Sequence, residues 1–74
     1  MFKVKDIKNL PEMGFVRVDK DWVRRITVDG SPKVVFTIYA GSSYIRHSRT
    51  SYVAEEQLKL IYEWTLLGYI EWED

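Results

Sequence analysis

Residues 33–49 constrain the fold more than any other part of the chain. Lys33-Val34-Val35-Phe36-Thr37-Ile38-Tyr39-Ala40 is dense in β-branched and aromatic residues, Gly41-Ser42 follows, and Ser43-Tyr44-Ile45-Arg46-His47 alternates once more. Such residues fit a pleated, half-buried surface. A two-residue loop with glycine first suits a type II′ hairpin. That loop pairs Ala40 with Ser43, Tyr39 with Tyr44, Ile38 with Ile45, Thr37 with Arg46 and Phe36 with His47. Paired residues share a face of the sheet. One face therefore collects Val34, Phe36, Ile38 and Ile45, and is the expected core side. The other collects Val35, Thr37, Tyr39, Tyr44 and Arg46. A one-residue slip would send the apolar set to water, so the pattern holds the register.

The flanking segments extend this hairpin into a meander. Phe15-Val16-Arg17-Val18 reads as a short strand, Asp19-Lys20-Asp21 as a tight turn, and residues 22–28 as a second strand. Trp22, Ile26 and Val28 alternate toward the core, with Arg24 out of place among them, while Arg25 and Thr27 point the other way. Asp29-Gly30-Ser31-Pro32 is a strong turn signal. Residues 1–14 form an arm and a turn at Leu10-Pro11-Glu12-Met13-Gly14; Phe2, Val4, Ile7 and Leu10 fit either a short helical turn or an irregular arm. A helix is expected from 52 or 53 to 67, capped by Thr50 or Ser51, with Glu55 and Glu56 in its first turns. Its apolar stripe comprises Val53, Ala54, Leu58, Leu60, Ile61, Trp64, Thr65 and Leu67, and Gly68 follows as the C′ residue. Residues 69–73 alternate as a short final strand that returns to a sheet edge. The fold class is α+β: a three- or four-stranded antiparallel meander over 15–49, with one C-terminal helix packed on its apolar face.

With 74 residues the chain supports one domain. It has no cysteine and one histidine, which excludes disulfides and leaves no thiol–imidazole set for structural zinc. Stability must come from packing, and eleven aromatic residues (three Trp, five Tyr, three Phe) supply large buried areas at low entropic cost. No apolar run reaches the ~18 residues of a membrane span, and Met1-Phe2-Lys3-Val4-Lys5 lacks the apolar core of a signal peptide. A cytoplasmic location without membrane attachment is therefore expected. Net charge is zero but unevenly spread: ten Lys/Arg and five Asp/Glu precede residue 50, one Lys and six acids follow. A basic surface opposite an acidic one suits an anionic partner, although ordinary solvated faces produce the same pattern.

Nothing in the chain spells out catalysis. The four glycines stand singly at turns, so there is no phosphate loop. His47 is the sole histidine and reads as a partly buried side chain at a strand end. Glu55/Glu56 and Glu71/Glu73/Asp74 sit at a helix start and near the last residue, not in a cleft. Neither an enzyme, a cofactor nor a metal is expected. The candidate binding surface is the outer sheet face, with Arg25, Lys33, Thr37, Tyr39, Tyr44 and Arg46, and Arg17 and Arg49 near its rim. Tyrosine beside arginine favours protein interfaces. It also stacks bases and neutralises phosphates, and a Tyr39–Tyr44 pair that merely stabilises the hairpin remains a third reading. A second candidate is the C-terminal edge with Tyr69 and Trp72, which could pair with a partner strand or with a second copy as a homodimer.

The lysine-rich start running into Asn9-Leu10-Pro11-Glu12, the helix Glu55-Glu56-Gln57-Leu58-Lys59-Leu60-Ile61 and the ending Gly68-Tyr69-Ile70-Glu71-Trp72-Glu73 together resemble small accessory proteins of unknown function in temperate phages of Gram-positive bacteria. The resemblance is compositional and carries over no site residues. It implies a host-interacting or regulatory role. The expected function is a non-enzymatic protein-binding or regulatory module, with nucleic-acid binding by the outer sheet face as the alternative.

Overall fold

A computed structural model describes residues 1–49 and 53–74. Its elements, in chain order, are β1 (Phe2–Val4), a 3₁₀ turn (Ile7–Asn9), β2 (Phe15–Val18), β3 (Asp21–Val28), β4 (Ser31–Ile38), β5 (Arg46–His47), α1 (Ala54–Leu66) and β6 (Ile70–Trp72). The fold is α+β. β2-β3-β4-β5 form a four-stranded antiparallel meander, and β1 pairs with β6.

The hairpin register matches the alternation argument where the ladder exists: Phe36 opposes His47 and Thr37 opposes Arg46. The turn itself differs. The Ser42 N–H donates to the Tyr39 carbonyl at 2.9 Å, so the reversal centres on Ala40-Gly41, with Gly41 at φ 77°. Residues 43–45 then leave β4 and pair with β1 instead. Val4 N–H donates to the Ser43 carbonyl, Ile45 N–H to the Phe2 carbonyl, and Lys3 lies opposite Tyr44. The expected Tyr39–Tyr44 and Ile38–Ile45 pairs are therefore absent, and the expected strand over 43–49 shortens to Arg46–His47. The arm expected at the N-terminus is a strand flanked on both sides, by residues 43–45 and by β6. β6 accordingly closes on β1, not on an edge of the meander.

The face assignment also changes within β4. Arg24 pairs with Phe36 but Arg25 pairs with Val34, which leaves Val35 as an extra residue, a β-bulge. The bulge shifts the alternation by one: Val35 and Phe36 are both fully buried, whereas Val34 is exposed. It also moves Lys33 opposite Ile26, a residue packed against the core. Lys33 thus leaves the outer face on which simple alternation puts it.

Helix α1 lies on the apolar side of the meander. Trp64 sits between Phe15 and Phe36, with ring centroids 5.6 and 5.2 Å apart. Val53, Gln57, Ile61 and Trp64 are buried, whereas Ala54, Leu58, Thr65 and Leu67 are exposed, so the inward stripe is rotated from the expected one. Gln57 explains the rotation. Its Nε2 donates to the Val35 carbonyl at 2.8 Å and to the Ser48 carbonyl at 3.0 Å, tying the helix to the bulge. Val53 occupies the N-cap position without a side-chain cap bond; the expected caps Thr50 and Ser51, and a start at Tyr52, lie outside the described residues. At the other end Gly68 N–H reaches the Thr65 carbonyl and Tyr69 N–H the Trp64 carbonyl, a Schellman closure with Gly68 at φ 77°.

The out-of-place Arg24 is accommodated by a neighbouring glycine. Its Nε donates to the Met13 carbonyl at 2.9 Å and its Nη1 to the Arg25 carbonyl. The guanidinium crosses over Gly14, where a Cβ would stand 2.5 Å from Arg24 Nε.

Candidate functional site

The outer-face candidates do not stay together. Thr37 and Arg46 sit side by side across β4 and β5, and the Arg46 guanidinium stacks 5.1 Å from the centre of the Tyr39 ring. Arg25, opposite Val34, and Lys33, opposite Ile26, lie on the other side of the bulge from Thr37. Tyr44 is drawn away by its pairing with β1. Its hydroxyl donates to Glu73 Oε1, while Glu73 Oε2 lies 3.2 Å from Lys3 Nζ. These contacts favour the Glu73 carboxylate, whose pKa falls because Tyr44 and then Lys3 hydrogen-bond to it. The Tyr44 and Lys3 pKa values both rise, each chiefly through its own hydrogen bond to Glu73. Tyr44 therefore acts as a brace between the two sheets, not as an outward contact.

The C-terminal candidates also divide. Tyr69 is partly buried against the core and its hydroxyl donates to Glu12 Oε2 at 2.9 Å. Trp72 is 61% exposed, stands edge-on to Phe2 at 5.1 Å, and donates its indole N–H to Asp74 Oδ1 at 2.8 Å. The even residues of β6 direct their backbone groups away from β1, because the hydrogen-bonded partners on the β1 side are Tyr69, Glu71 and Glu73. Trp72 thus marks both an open strand edge and an exposed ring.

The two sets of candidates meet in one groove of about 740 Å³. Thr37, Tyr39, Arg46, His47 and Arg49 form one wall, and Met1, Phe2, Ile45 and Trp72 form the other. Tyr39 also belongs to a second, adjoining cleft of about 400 Å³ lined by Arg17, Lys20, Trp22 and the 40–43 turn. Arg17 lies 5.8 Å over the Trp22 ring. Four cations (Arg17, Lys20, Arg46 and Arg49) line the two clefts and, among the described residues, no Asp or Glu does. In a chain with equal numbers of acids and bases that segregation creates a local positive potential. His47 faces the groove with its ring edge-on to Phe36, and burial lowers its pKa. That shift disfavours the imidazolium form.

Phe2, Lys20 and Trp22 were not among the binding candidates read from the sequence. Phe2 carries no local signal, since its place in the groove comes from pairing with a strand at the far end of the chain. Lys20 and Trp22 flank the β2–β3 turn and reach the cleft because that hairpin curls toward the 40–43 turn; Asp21 Oδ1 accepts the Ala40 N–H at 2.9 Å and fixes the approach.

Among the described residues no three His, Asp or Glu side chains stand close enough together to hold a metal ion, and no helix is long and apolar enough to cross a membrane. Compared with protein-family models, curated proteins and solved structures, the chain matches none.

Proposed function

We propose that the chain is a non-enzymatic module that binds a protein partner through the paired clefts around Tyr39, receiving an extended acidic segment. The observation that carries the reading is the lining: four cations and the rings of Phe2, Trp22, Tyr39 and Trp72, with no carboxylate among the described residues. Tyr, Trp and Arg are the side chains that anchor protein interfaces most often. Electrostatic attraction would steer an acidic segment in, and ring burial would retain it.

Nucleic acid is the second reading, because alternating rings and arginines also suit a single strand. The Trp72 end disfavours it. There the indole is tied to the Asp74 carboxylate. A phosphodiester carries a charge at every nucleotide and would bring a phosphate against that acid, whereas a polypeptide can place a neutral residue there.

Affinity capture with the native chain and with Tyr39→Ala/Arg46→Ala tests the proposal. Both side chains are exposed, so the double variant should keep its fold and lose the captured proteins. Undiminished capture overturns the groove as the binding surface. Binding of a homopolymeric oligonucleotide that falls ~10³-fold or more between ~50 and ~200 mM salt would favour the second reading.

A further inference from the structure

Helix α1 carries an apolar ridge on the side away from the core. Leu58, Tyr62 and Leu66 are 71%, 68% and 70% exposed, and they follow one another at i, i+4 and i+8. Beside them lie Ala54 and Thr65, both exposed, and the Thr65 hydroxyl is already donated to the Ile61 carbonyl at 2.7 Å. The strip from Ala54 to Leu66 thus offers no charge and one free polar group, the Tyr62 hydroxyl. Burying the opposite stripe around Gln57 and Trp64 is what leaves these residues outside.

We infer that this ridge is a self-association surface on which two copies of the chain pair their α1 helices antiparallel about a two-fold axis near Tyr62. Three features select a second copy as the occupant. A ridge of i±4n side chains packs into the equivalent groove of an identical helix at about −50°. An antiparallel two-fold places Leu58 of each copy toward Leu66 of the other, so the surface is self-complementary. The third feature is charge. Glu55, Lys59 and Glu63 run along one flank of the ridge, also at four-residue spacing. Lys59 bonds Glu55 at 3.5 Å, and among the described residues Glu63 makes no ion pair. An antiparallel two-fold keeps the same flank side by side, which brings each Lys59 toward the other copy's Glu63. A parallel pair would set that charged flank against the uncharged Ala54/Thr65 flank.

The contact is small. A helix of 13 residues is about 20 Å long, and its ridge covers less than the roughly 800 Å² per partner of a standard interface. The dimer is accordingly weak, with a dissociation constant of the order of tens of micromolar. The surface is distinct from the Tyr39 clefts, so each can fail without the other.

Sedimentation velocity from ~5 µM to ~1 mM tests the inference, a range that brackets such an affinity. The native chain should shift from monomer to dimer. Leu58→Asp should remain monomeric throughout with an unchanged circular dichroism spectrum, since the side chain is largely exposed. Lys59→Glu and Glu63→Lys should each weaken association several-fold, and the double reversal should restore it. A native chain that stays monomeric at the highest concentration overturns the inference. So does dimerisation of Leu58→Asp, which would move the contact elsewhere, for instance to the open edge of β6. Single charge reversals without effect would refute the antiparallel geometry.

Discussion

Replacing Gln57 by leucine should destabilise the protein more than any other isosteric change on α1. Gln57 is 7% exposed and is the one buried polar side chain among the described residues. Its Nε2 serves two carbonyls: Val35, at the bulge of β4, and Ser48, just beyond β5. Val35 keeps a second donor, the Ser48 N–H at 3.0 Å, but among the described residues no other donor reaches the Ser48 carbonyl. Two hydrogen bonds at about 0.5–1.5 kcal/mol each, with one carbonyl left without its donor, give a loss of about 2–3 kcal/mol, reduced slightly by the apolar gain of leucine. For a domain of this length total stability is of the order of 4–11 kcal/mol. Urea unfolding, with a slope near 1 kcal/mol/M for so small a protein, should show the midpoint falling by roughly 2 M. Gln57→Glu supplies the complementary test. A carboxylate facing two carbonyls has its folded pKa raised, so that variant's stability is fullest below the ordinary carboxylate range and is lost as pH rises through the folded value. If Gln57→Leu unfolds at the native midpoint, the amide does not hold the bulge and the explanation for the rotated helix stripe fails.

Two further perturbations probe the frame around the clefts. Gly14→Ala meets both a left-handed backbone (φ 87°) and Arg24 Nε at 2.5 Å, whereas Gly30→Ala, at φ 79°, meets nothing within 4 Å. Backbone strain alone costs about 1–2 kcal/mol. The displaced Arg24–Met13 bond adds about 1 kcal/mol, so Gly14→Ala should lower the melting temperature by roughly 10 °C or more and Gly30→Ala by about half that; equal shifts would refute the close packing of Arg24 on Gly14. Glu73→Gln removes the charge and one of the two acceptor oxygens that join Lys3 and Tyr44. Because the folded pKa of Glu73 is lowered, its contribution is present above the ordinary carboxylate range and fades as pH falls through the folded value. Unfolding midpoints plotted from pH 7 down to pH 3 should therefore be flatter for Glu73→Gln than for the native chain, and parallel curves would show the network to be inert.

How far the structure could be read in advance depended on whether a residue's neighbours lay close in sequence. The Phe36–His47 and Thr37–Arg46 pairs followed from alternation across one turn, and Gly68 followed from the end of the helical period. The departures share a cause: each needs a partner that sequence distance conceals. Val34 and Val35 are equally apolar, and only the extra residue opposite Arg24-Arg25 decides which turns inward. Leu58 looks more like a core residue than Gln57 does, yet the two carbonyls awaiting Gln57 rotate the helix the other way. Tyr44 matched Tyr39 in the hairpin pattern until β1, far along the chain, claimed it. The groove itself was legible only as fragments. Thr37, Tyr39, Arg46 and Trp72 could be singled out one by one from the alternation, but their convergence depends on β6 returning to β1 beside residues 43–45.

The position of β1 between residues 43–45 and β6 bears on how the molecule is made. During synthesis the first strand emerges early but completes its hydrogen bonding only when the last one arrives; the Met1 ammonium finally meets the Glu73 carbonyl across 72 residues. Until then Phe2 and Val4 have no lasting cover, and a nascent chain holds an incomplete sheet with an apolar strand free to pair with something else. The meander can form from contacts between neighbouring strands, whereas the wall of the groove that contains Phe2 and Trp72 needs β1 and β6 together. The groove therefore closes only when β6 reaches β1, as a single event.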